Sequence, residues 1–339
     1  MRIFSTMKIL FFSAKPYDRE FFENCNLDYS HELEFWETHL GPHIVDAIKP
    51  NTDAVCVFVN DKLNAAVIET LANKGVRVIA LRCAGFNNVD LEAAKKFGIR
   101  VCRVPAYSPQ AVAEHAVAML LTLNRKTHKA YNRVREQNFS LNGLMGFNLF
   151  GKTVGVIGTG KIGAAFCKIM LGFGCTIVAF DPFENDTLKS IGVNFMPFHE
   201  VIKHADIVSI HCPLTAENHH LINTNSLSAM KKGVTLINTS RGGLVNTQDI
   251  IVALKNGQVA ALGIDVYEQE EKLFFKDLSG SIMGDDDIQL LISFPNVLVT
   301  GHQAFFTKEA LTEIAEKTLE NVSLLLKNES IDDVSRILV

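Results

Sequence analysis

The sequence predicts an α/β protein with two Rossmann-like domains, each built on a parallel sheet. Strand-like apolar runs alternate with helical patterns through most of the chain, which is typical of parallel α/β architecture. The 339 residues exceed what one ordinary core needs. A long apolar helical pattern interrupts the alternation at Ser108. These three observations indicate two α/β domains joined by a helix.

The first series of elements forms the predicted first domain. Helical patterns that each end in glycine, as a helix C-terminus favours, lie between strand-like runs: "KILFFSAK", "AVCVFVN", "VRVIALRCAGF" and "GIRVCRVPAY". The first strand is complete from Met7, so we expect the six preceding residues to be a small extension or a start-site artefact. The apolar run at the start is too brief for a signal peptide.

The segment from Ser108 to Val134 predicts one long helix that connects the domains. Ser108 can cap it and Pro109 suits its first turn. Its body is rich in Ala, Leu and Met. Its Ala-rich face could form a subunit interface or be buried within one subunit, and we expect the helix to lie in a dimer interface.

The second series opens at Gly151 and predicts the second domain. Its strand-like runs are "KTVGVIG", "TIVAFD", "DIVSIHCPLT", "GVTLINTSRG", "ALGIDVYE" and "NVLVTGHQAF". The tail, "KEALTEIAEKTLENVSLLLKN", is amphipathic at helical spacing. This tail could return to cover the first domain.

The run "VGVIGTGKIG" predicts a dinucleotide site. Gly158, Gly160 and Gly163 form G-x-G-x-x-G between a strand and a helix, which is the context the motif requires. The glycines allow a tight turn, close approach of a pyrophosphate and close helix packing, and the helix N-terminus favours phosphate. Asp181 ends the next strand, where an acid can bind the ribose hydroxyls and repel a 2′-phosphate. The pattern therefore favours NAD over NADP.

Three later strand-like runs are each followed by a polar residue that can bind a substrate or transfer a proton. Arg241 follows "LINTS", Glu270 follows "GIDVYEQ", and His302 follows "VLVTG". Parallel sheets gather their sites at the carboxyl ends of strands. A guanidinium can bind the carboxylate of a 2-keto acid and polarise its carbonyl. A histidine can supply the proton while NADH supplies the hydride, and a carboxylate beside the ring orients it.

Composition excludes other classes of function. The net charge of −4 offers no broad basic surface for nucleic acid, and no apolar run approaches the ~20 residues that span a membrane. The seven cysteines form no C-x-x-C pair, which predicts reduced, mainly buried thiols in a cytoplasmic protein. We expect no metal site, because the adjacent rings of His219 and His220 should not converge on one ion.

Seven motifs together resemble the D-isomer-specific 2-hydroxyacid dehydrogenases. They stand in family order over nearly the whole chain: "RCAGFNNVDL", "VPAYSPQAVAEHA", "GVIGTGKIG", "HCPLT", "NTSRGGLV", "GIDVYEQE" and "GHQAF". The resemblance implies a central NAD-binding Rossmann domain, 107–305, that includes the connecting helix. It also implies a split, flavodoxin-like substrate domain, 1–106 plus 306–339, that closes on it. A homodimer or homotetramer is expected.

The resemblance also implies a role for individual residues. Arg241 would bind the substrate, His302 would be the acid–base and Glu270 its partner. Substrate contacts would come from Tyr107 and the backbone of Cys83, Ala84 and Gly85. NAD contacts, beyond the glycines and Arg241, would come from Lys161, Ile162, Asp181, Cys212, Pro213, Asn218, Thr239, Ser240 and Asp265.

The substrate expected from the sequence is pyruvate, giving D-lactate. The chain lacks the C-terminal extension usual in relatives acting on phosphoglycerate, and Phe305 and Phe306 supply bulk that suits a small substrate. Other candidate substrates are 2-ketoisocaproate, hydroxypyruvate and glyoxylate. A dinucleotide-sensing corepressor of the same fold is the alternative from another class, but the chain shows no basic surface or extended tail for that role.

Overall fold

Two compact units make up the chain, and each has its own parallel sheet. The computed structural model describes residues 6–339, apart from the side chain of Lys272. The first unit contains the described residues up to Ser108 together with Phe306–Val339, and the second is Pro109–Phe305. Of the six residues that precede Met7, the first five lie outside the described part.

The first unit is a five-stranded sheet in the order β2-β1-β3-β4-β5. This is the flavodoxin-like order of doubly wound folds. Its strands are β1 (Lys8–Phe11), β2 (Glu32–Phe35), β3 (Ala54–Val57), β4 (Val78–Leu81) and β5 (Arg100–Arg103). All pair in parallel. The strands β3 and β4 are buried along their whole length, as expected for a sheet covered on both faces.

The helices of the first unit are α1 (Pro16–Asn26), α2 (Ala65–Asn73), α3 (Leu91–Phe97) and, from the end of the chain, α12 (Lys308–Leu326). The helix α12 packs against α1 and β4. Its apolar face is buried, with Ala315 and Leu319 fully covered. The tail therefore lies in the same unit as the N-terminal strands. The predicted glycine stops are confirmed, since Gly75 and Gly98 both have positive φ just past α2 and α3.

The second unit is a seven-stranded sheet in the order β12-β11-β10-β9-β6-β7-β8. Its strands are β6 (Thr153–Ile157), β7 (Thr176–Phe180), β8 (Asn194–Phe195), β9 (Ile207–Ile210), β10 (Val234–Asn238), β11 (Val259–Ile264) and β12 (Val297–Val299). The order reverses between β6 and β9, which is the point where Rossmann folds bind their ligand. The predicted fold class is thus confirmed.

The helices of the second unit are α4 (Pro109–Arg125), α5 (Thr127–Arg135), α6 (Lys161–Gly172), α7 (Asp186–Ser190), α8 (Phe198–His204), α9 (Thr224–Ala229), α10 (Thr247–Lys255) and α11 (Asp286–Ser293).

The prediction of one helix from Ser108 to Val134 is wrong. Lys126 adopts a left-handed φ of 50°, which ends α4 and starts α5. No glycine or proline marks this break.

The Ala-rich face of α4 is used inside its own unit. Ala113, Ala116 and Leu120 are fully buried, and the helix packs on α6, β10 and β11. Small side chains here let two helices approach closely. These residues are buried within the subunit, and the expected place of the helix in a dimer interface stays a prediction.

Candidate active site

The glycine turn connects β6 to α6. It lies at the end of β6, beside the switch point between β6 and β9. Gly158 has a φ of 91°, and a Cβ on Gly163 would lie 2.0 Å from the carbonyl oxygen of Gly158. Only glycine lets α6 begin so close to the strand end. A Cβ on Gly160 would meet no atom within 4 Å, so the middle of the turn faces open space. The turn therefore leaves room for a phosphate at the N-terminus of α6, where Lys161 and Ile162 begin the helix.

Asp181 ties the end of β7 to this turn. Its Oδ2 accepts hydrogen bonds from the Thr159 amide at 2.6 Å and from the Thr159 hydroxyl at 3.1 Å. Its Oδ1 accepts from the Phe183 amide at 2.9 Å. Each carboxylate oxygen keeps further acceptor capacity. Asp181 can therefore support the turn and bind ribose hydroxyls with the same group.

The remaining residues predicted to contact NAD follow β9, β10 and β11. The Ser240 hydroxyl donates to the Cys212 carbonyl at 2.5 Å, and the Asn218 amide donates to the Pro213 carbonyl at 2.8 Å. Thr239 has a buried hydroxyl oxygen with no hydrogen-bond partner among residues 6–339. That orphaned oxygen and the open space at Gly160 both fit a bound dinucleotide.

The three residues predicted at strand ends do lie on neighbouring strands. Arg241 follows β10, Glu270 follows β11 and His302 follows β12, and these strands are adjacent in the sheet. Arg241 is half-buried and donates from Nη1 to the Ser240 carbonyl at 2.6 Å. A Cβ on Gly242 would lie 2.1 Å from the Tyr267 carbonyl carbon. Glycine after Arg241 therefore lets its loop approach the segment that leads to Glu270.

Glu270 and His302 form a hydrogen-bonded pair. Nδ1 of His302 lies 2.9 Å from Oε1 of Glu270, and each side chain is about one-fifth exposed. The other carboxylate oxygen, Oε2, accepts from the Tyr267 amide at 3.0 Å. With Nδ1–H donated to Glu270, Nε2 is the ring nitrogen left to give or take a proton. The pair therefore has the geometry of an acid–base group with an orienting carboxylate.

His302 is held in an uncommon backbone conformation by Asp265. The φ of His302 is 54°, a left-handed value that costs an L-residue roughly 1–2 kcal/mol. The His302 amide donates to the Asp265 carbonyl at 2.8 Å. The Asp265 carboxylate accepts from the amides of Gln303 and Ala304 at 2.9 and 2.8 Å. These contacts offset the strain and fix the loop, a role that the sequence did not predict.

The Asp265 carboxyl has a lowered pKa despite its burial. Burial opposes the charge most strongly, but hydrogen bonds from His115, Thr300 and the two loop amides outweigh it. They hold the pKa of Asp265 below its usual value. Asp265 was predicted only as an NAD contact. Of about four acceptor positions on a carboxylate, the loop amides and the Thr300 hydroxyl use three.

The predicted substrate loop lies in the first unit, after β4. The Cys83 thiol donates to the Gly85 carbonyl at 3.3 Å, and Arg103 donates from Nη1 to the Ala84 carbonyl at 2.9 Å. Tyr107 is half-buried near the end of this unit. These contacts fix the loop backbone. The predicted roles of the four residues in binding a carboxylate stay a prediction.

His219 and His220 do converge, so the prediction that these adjacent rings stay apart is wrong. Their ring centroids lie 3.8 Å apart, because His220 has a left-handed φ of 54° that turns both rings to one side. With Glu268 they form a group whose ligand atoms lie within 4.8 Å of one another. The absence of a metal site from this protein stays a prediction.

The contacts within this group favour hydrogen bonding over metal binding. The Asn246 side-chain amide donates to Nδ1 of His220 at 3.2 Å, while its oxygen caps α10. Nε2 of His220 then carries the ring proton and donates it to Oε1 of Glu268 at 2.6 Å. The second oxygen of Glu268 accepts from the Thr247 amide at 2.9 Å. Glu268 thereby links three loops beside the candidate site.

Comparison with known proteins decides the family. Residues 117–304 match the D-isomer specific 2-hydroxyacid dehydrogenase, NAD binding domain. The chain belongs to the D-isomer specific 2-hydroxyacid dehydrogenase family. It is therefore an NAD-dependent oxidoreductase, and small 2-hydroxy or 2-keto acids are the substrate class that fits this family.

Three relatives of this dehydrogenase family show how far the similarity extends. A 2-hydroxyacid dehydrogenase homolog of Haemophilus influenzae is 50% identical, over 97% of this chain and 99% of the relative. D-lactate dehydrogenase of Escherichia coli is 49% identical, over 96% of this chain and 98% of the relative. The solved structure described as the pyruvate reductase of Chlamydomonas reinhardtii is 41% identical. It matches with a TM-score of 0.92, over 97% of this chain and 98% of that one.

The cysteines of this dehydrogenase agree with the sequence prediction in their structure. All seven are free thiols, and five are buried. Burial raises the pKa of the Cys212 thiol to about 11, so this predicted NAD contact is a poor nucleophile. Within residues 6–339, no helix is both long enough and apolar enough to cross a membrane.

Proposed function

We propose that this chain is a D-lactate dehydrogenase that reduces pyruvate to D-lactate with NADH. The observation that carries the proposal is the hydrogen bond between His302 and Glu270, which leaves Nε2 of the imidazole as the proton carrier. The names of the Escherichia coli and Chlamydomonas relatives support pyruvate as the substrate.

Each residue of the proposed site has a distinct task. Arg241 binds the substrate carboxylate with two parallel hydrogen bonds. His302 gives its Nε2 proton to the carbonyl oxygen as the alcohol forms, and the Glu270 carboxylate stabilises the ring while it is charged. NADH, when bound, supplies the hydride. Asp181 selects NADH, and the glycine turn holds its pyrophosphate.

Small substrates are proposed because of the aromatic side chains after His302. Phe305 is buried, and the Phe306 ring packs edge-to-face on Tyr17 with centroids 4.8 Å apart. Burial, the largest cause, raises the pKa of Tyr17 to about 12, so its ring is a neutral partner for Phe306. Fixed aromatic bulk in this segment favours the methyl group of pyruvate over the longer side chain of 2-ketoisocaproate.

The test is a substrate panel followed by analysis of the product. Loss of NADH absorbance is measured with pyruvate, glyoxylate, hydroxypyruvate and 2-ketoisocaproate, and the lactate formed is resolved by chirality. We expect the highest kcat/KM with pyruvate and only the D-isomer. A higher kcat/KM for another 2-keto acid would reassign the substrate, and L-lactate would refute the proposal.

We also propose that the protein is a cytoplasmic homo-oligomer, a dimer or a tetramer. The seven free thiols suit a reducing compartment. An apolar segment in the second unit supports self-association, since Phe139, Leu141, Met145 and Phe150 are each more than 70% exposed. Sedimentation should give a dimer or larger, and a monomer at working concentrations would reject this part.

A further inference from the structure

A chain of hydrogen bonds leads from α4 to the loop that carries His302. Nε2 of His115 lies 3.1 Å from the Thr300 hydroxyl. That hydroxyl donates to Oδ1 of Asp265 at 2.5 Å. Nε2 of His115 also lies 3.5 Å from Oδ1 of Asp265. All three residues belong to the second unit, and His115 lies outside the residues predicted for the site.

The direction of each hydrogen bond follows from the number of protons available. A threonine hydroxyl has one proton, and Thr300 gives it to Asp265. The Thr300 oxygen can then only accept, so Nε2 of His115 carries a proton and donates it. His115 therefore donates its N–H to Thr300, and the same nitrogen lies 3.5 Å from the buried carboxylate.

Asp265 needs this support because it is fully buried. His115 is the titratable side chain that faces it from α4. From the strand β10, the Asn238 carbonyl accepts from the Asp265 amide at 3.0 Å. On the loop side, His302 contacts Asp265 through its backbone. The balance that keeps the pKa of Asp265 low thus depends on His115 and Thr300 together with two loop amides.

We propose that His115 is a positioning residue for this reaction: through Thr300 and Asp265 it holds the 300–304 loop that presents His302. The inference rests on the proposed function of His302. An ionised Asp265 accepts the Gln303 and Ala304 amides and keeps His302 in its left-handed conformation. A protonated Asp265 loses acceptor capacity, so the loop relaxes and His302 leaves the geometry that proton transfer requires.

The first test compares two substitutions at His115. His115→Leu removes the donor, and His115→Gln keeps an N–H near the position of Nε2. We expect kcat for pyruvate reduction to fall about tenfold in His115→Leu, with the KM for NADH nearly unchanged. His115→Gln should retain most of the rate.

The pH profile separates a positioning role from a merely structural one. Without His115, one of the hydrogen bonds that lower the pKa of Asp265 is lost, so that pKa rises. As pH falls, Asp265 then protonates at a pH where the parent carboxyl is still ionised. The His115→Leu enzyme should therefore lose more activity than the parent as the pH falls. Thr300→Val, which keeps the side-chain shape, should show the same acid limb.

A second readout does not depend on catalysis. Hydrogen exchange at the Gln303 and Ala304 amides reports whether Asp265 still holds the loop. Exchange in His115→Leu should be faster than in the parent, and more so at acid pH. The matched control is His31→Leu, which breaks a comparable contact in the first unit, His31 Nε2 to the Ser323 hydroxyl at 2.7 Å. It should lower thermal stability without an acid limb or faster exchange at these amides.

The outcomes distinguish the inference from the proposed function. A His115→Leu enzyme with the parent's kcat and pH profile, or with a loss in thermal stability alone, would overturn the inference and leave the proposed function intact. A parent chain that does not reduce pyruvate would reject the proposed function. The exchange rates would then decide the inference alone, and unchanged protection at Gln303 and Ala304 would overturn it.

Discussion

Replacing Asp181 should change both coenzyme preference and stability, because one carboxylate serves the ribose and the glycine turn. Asp181→Ala removes the acceptor for the Thr159 amide, the Thr159 hydroxyl and the Phe183 amide. Hydrogen bonds contribute about 1 kcal/mol each to stability. Thr159 is only 3% exposed, so water replaces its lost partner poorly. The structure therefore implies a loss of about 1–3 kcal/mol in the free energy of unfolding.

Loss of Asp181 should also change the preference for NADH over NADPH by an amount that can be worked out separately. Hydrogen bonds from ribose hydroxyls to a charged acceptor are each worth about 1.5–3 kcal/mol, and the charge also repels a 2′-phosphate. Loss of the carboxylate should lower the ratio of kcat/KM for NADH to kcat/KM for NADPH by about 10²-fold.

The assay measures kcat/KM for both coenzymes and the thermal midpoint in each variant. Asp186→Ala is a matched control, since Asp186 is 93% exposed and pairs only with Lys189 in the described contacts. The control should keep the parent's coenzyme ratio. An unchanged ratio in a destabilised Asp181→Ala protein would show that Asp181 supports the turn and does not contact the ribose.

Three further predictions concern the strand-end residues and assembly. Arg241→Lys should fold normally but raise the KM for pyruvate and lower kcat, since an ammonium cannot form the paired contact of a guanidinium; parent-like kinetics would remove Arg241 from the site. Glu270→Gln should lower kcat for pyruvate reduction, because the charged imidazole loses its negative partner 2.9 Å away; a kcat equal to the parent's would exclude this role. Met145→Lys should weaken self-association in sedimentation, because it places a charge in the exposed apolar segment; an unchanged oligomer would locate the contact elsewhere.

The sequence predicted the parts of the site that depend on a local residue pattern and on the shared direction of parallel strands. The spacing of Gly158, Gly160 and Gly163 after a β-rich run required a strand–turn–helix unit. The three polar residues after apolar runs could be placed on one edge because parallel strands share an orientation. Only the order of elements along the chain is needed for this placement, and Arg241, Glu270 and His302 do follow neighbouring strands.

Features that depend on tertiary contacts or on unusual backbone angles were not predicted from the sequence. Lys126 and His220 both adopt left-handed φ values, and neither is a glycine or an asparagine that would signal it. The short strand "ELEF", β2, lacks the apolar content of its neighbours because it lies at the edge of its sheet. The link from His115 to Asp265 joins residues far apart in sequence, which no local pattern encodes.

The central claim is that His302 donates the proton when this chain reduces pyruvate. The most direct test is kcat/KM for pyruvate with NADH in the parent and in His302→Ala, measured at the pH optimum of the parent. A positioned acid–base group contributes about 10²–10⁴-fold, so the variant should lose at least about 10²-fold while its affinity for NADH stays close to the parent's. A His302→Ala enzyme that reduces pyruvate at the parent's rate would contradict the account.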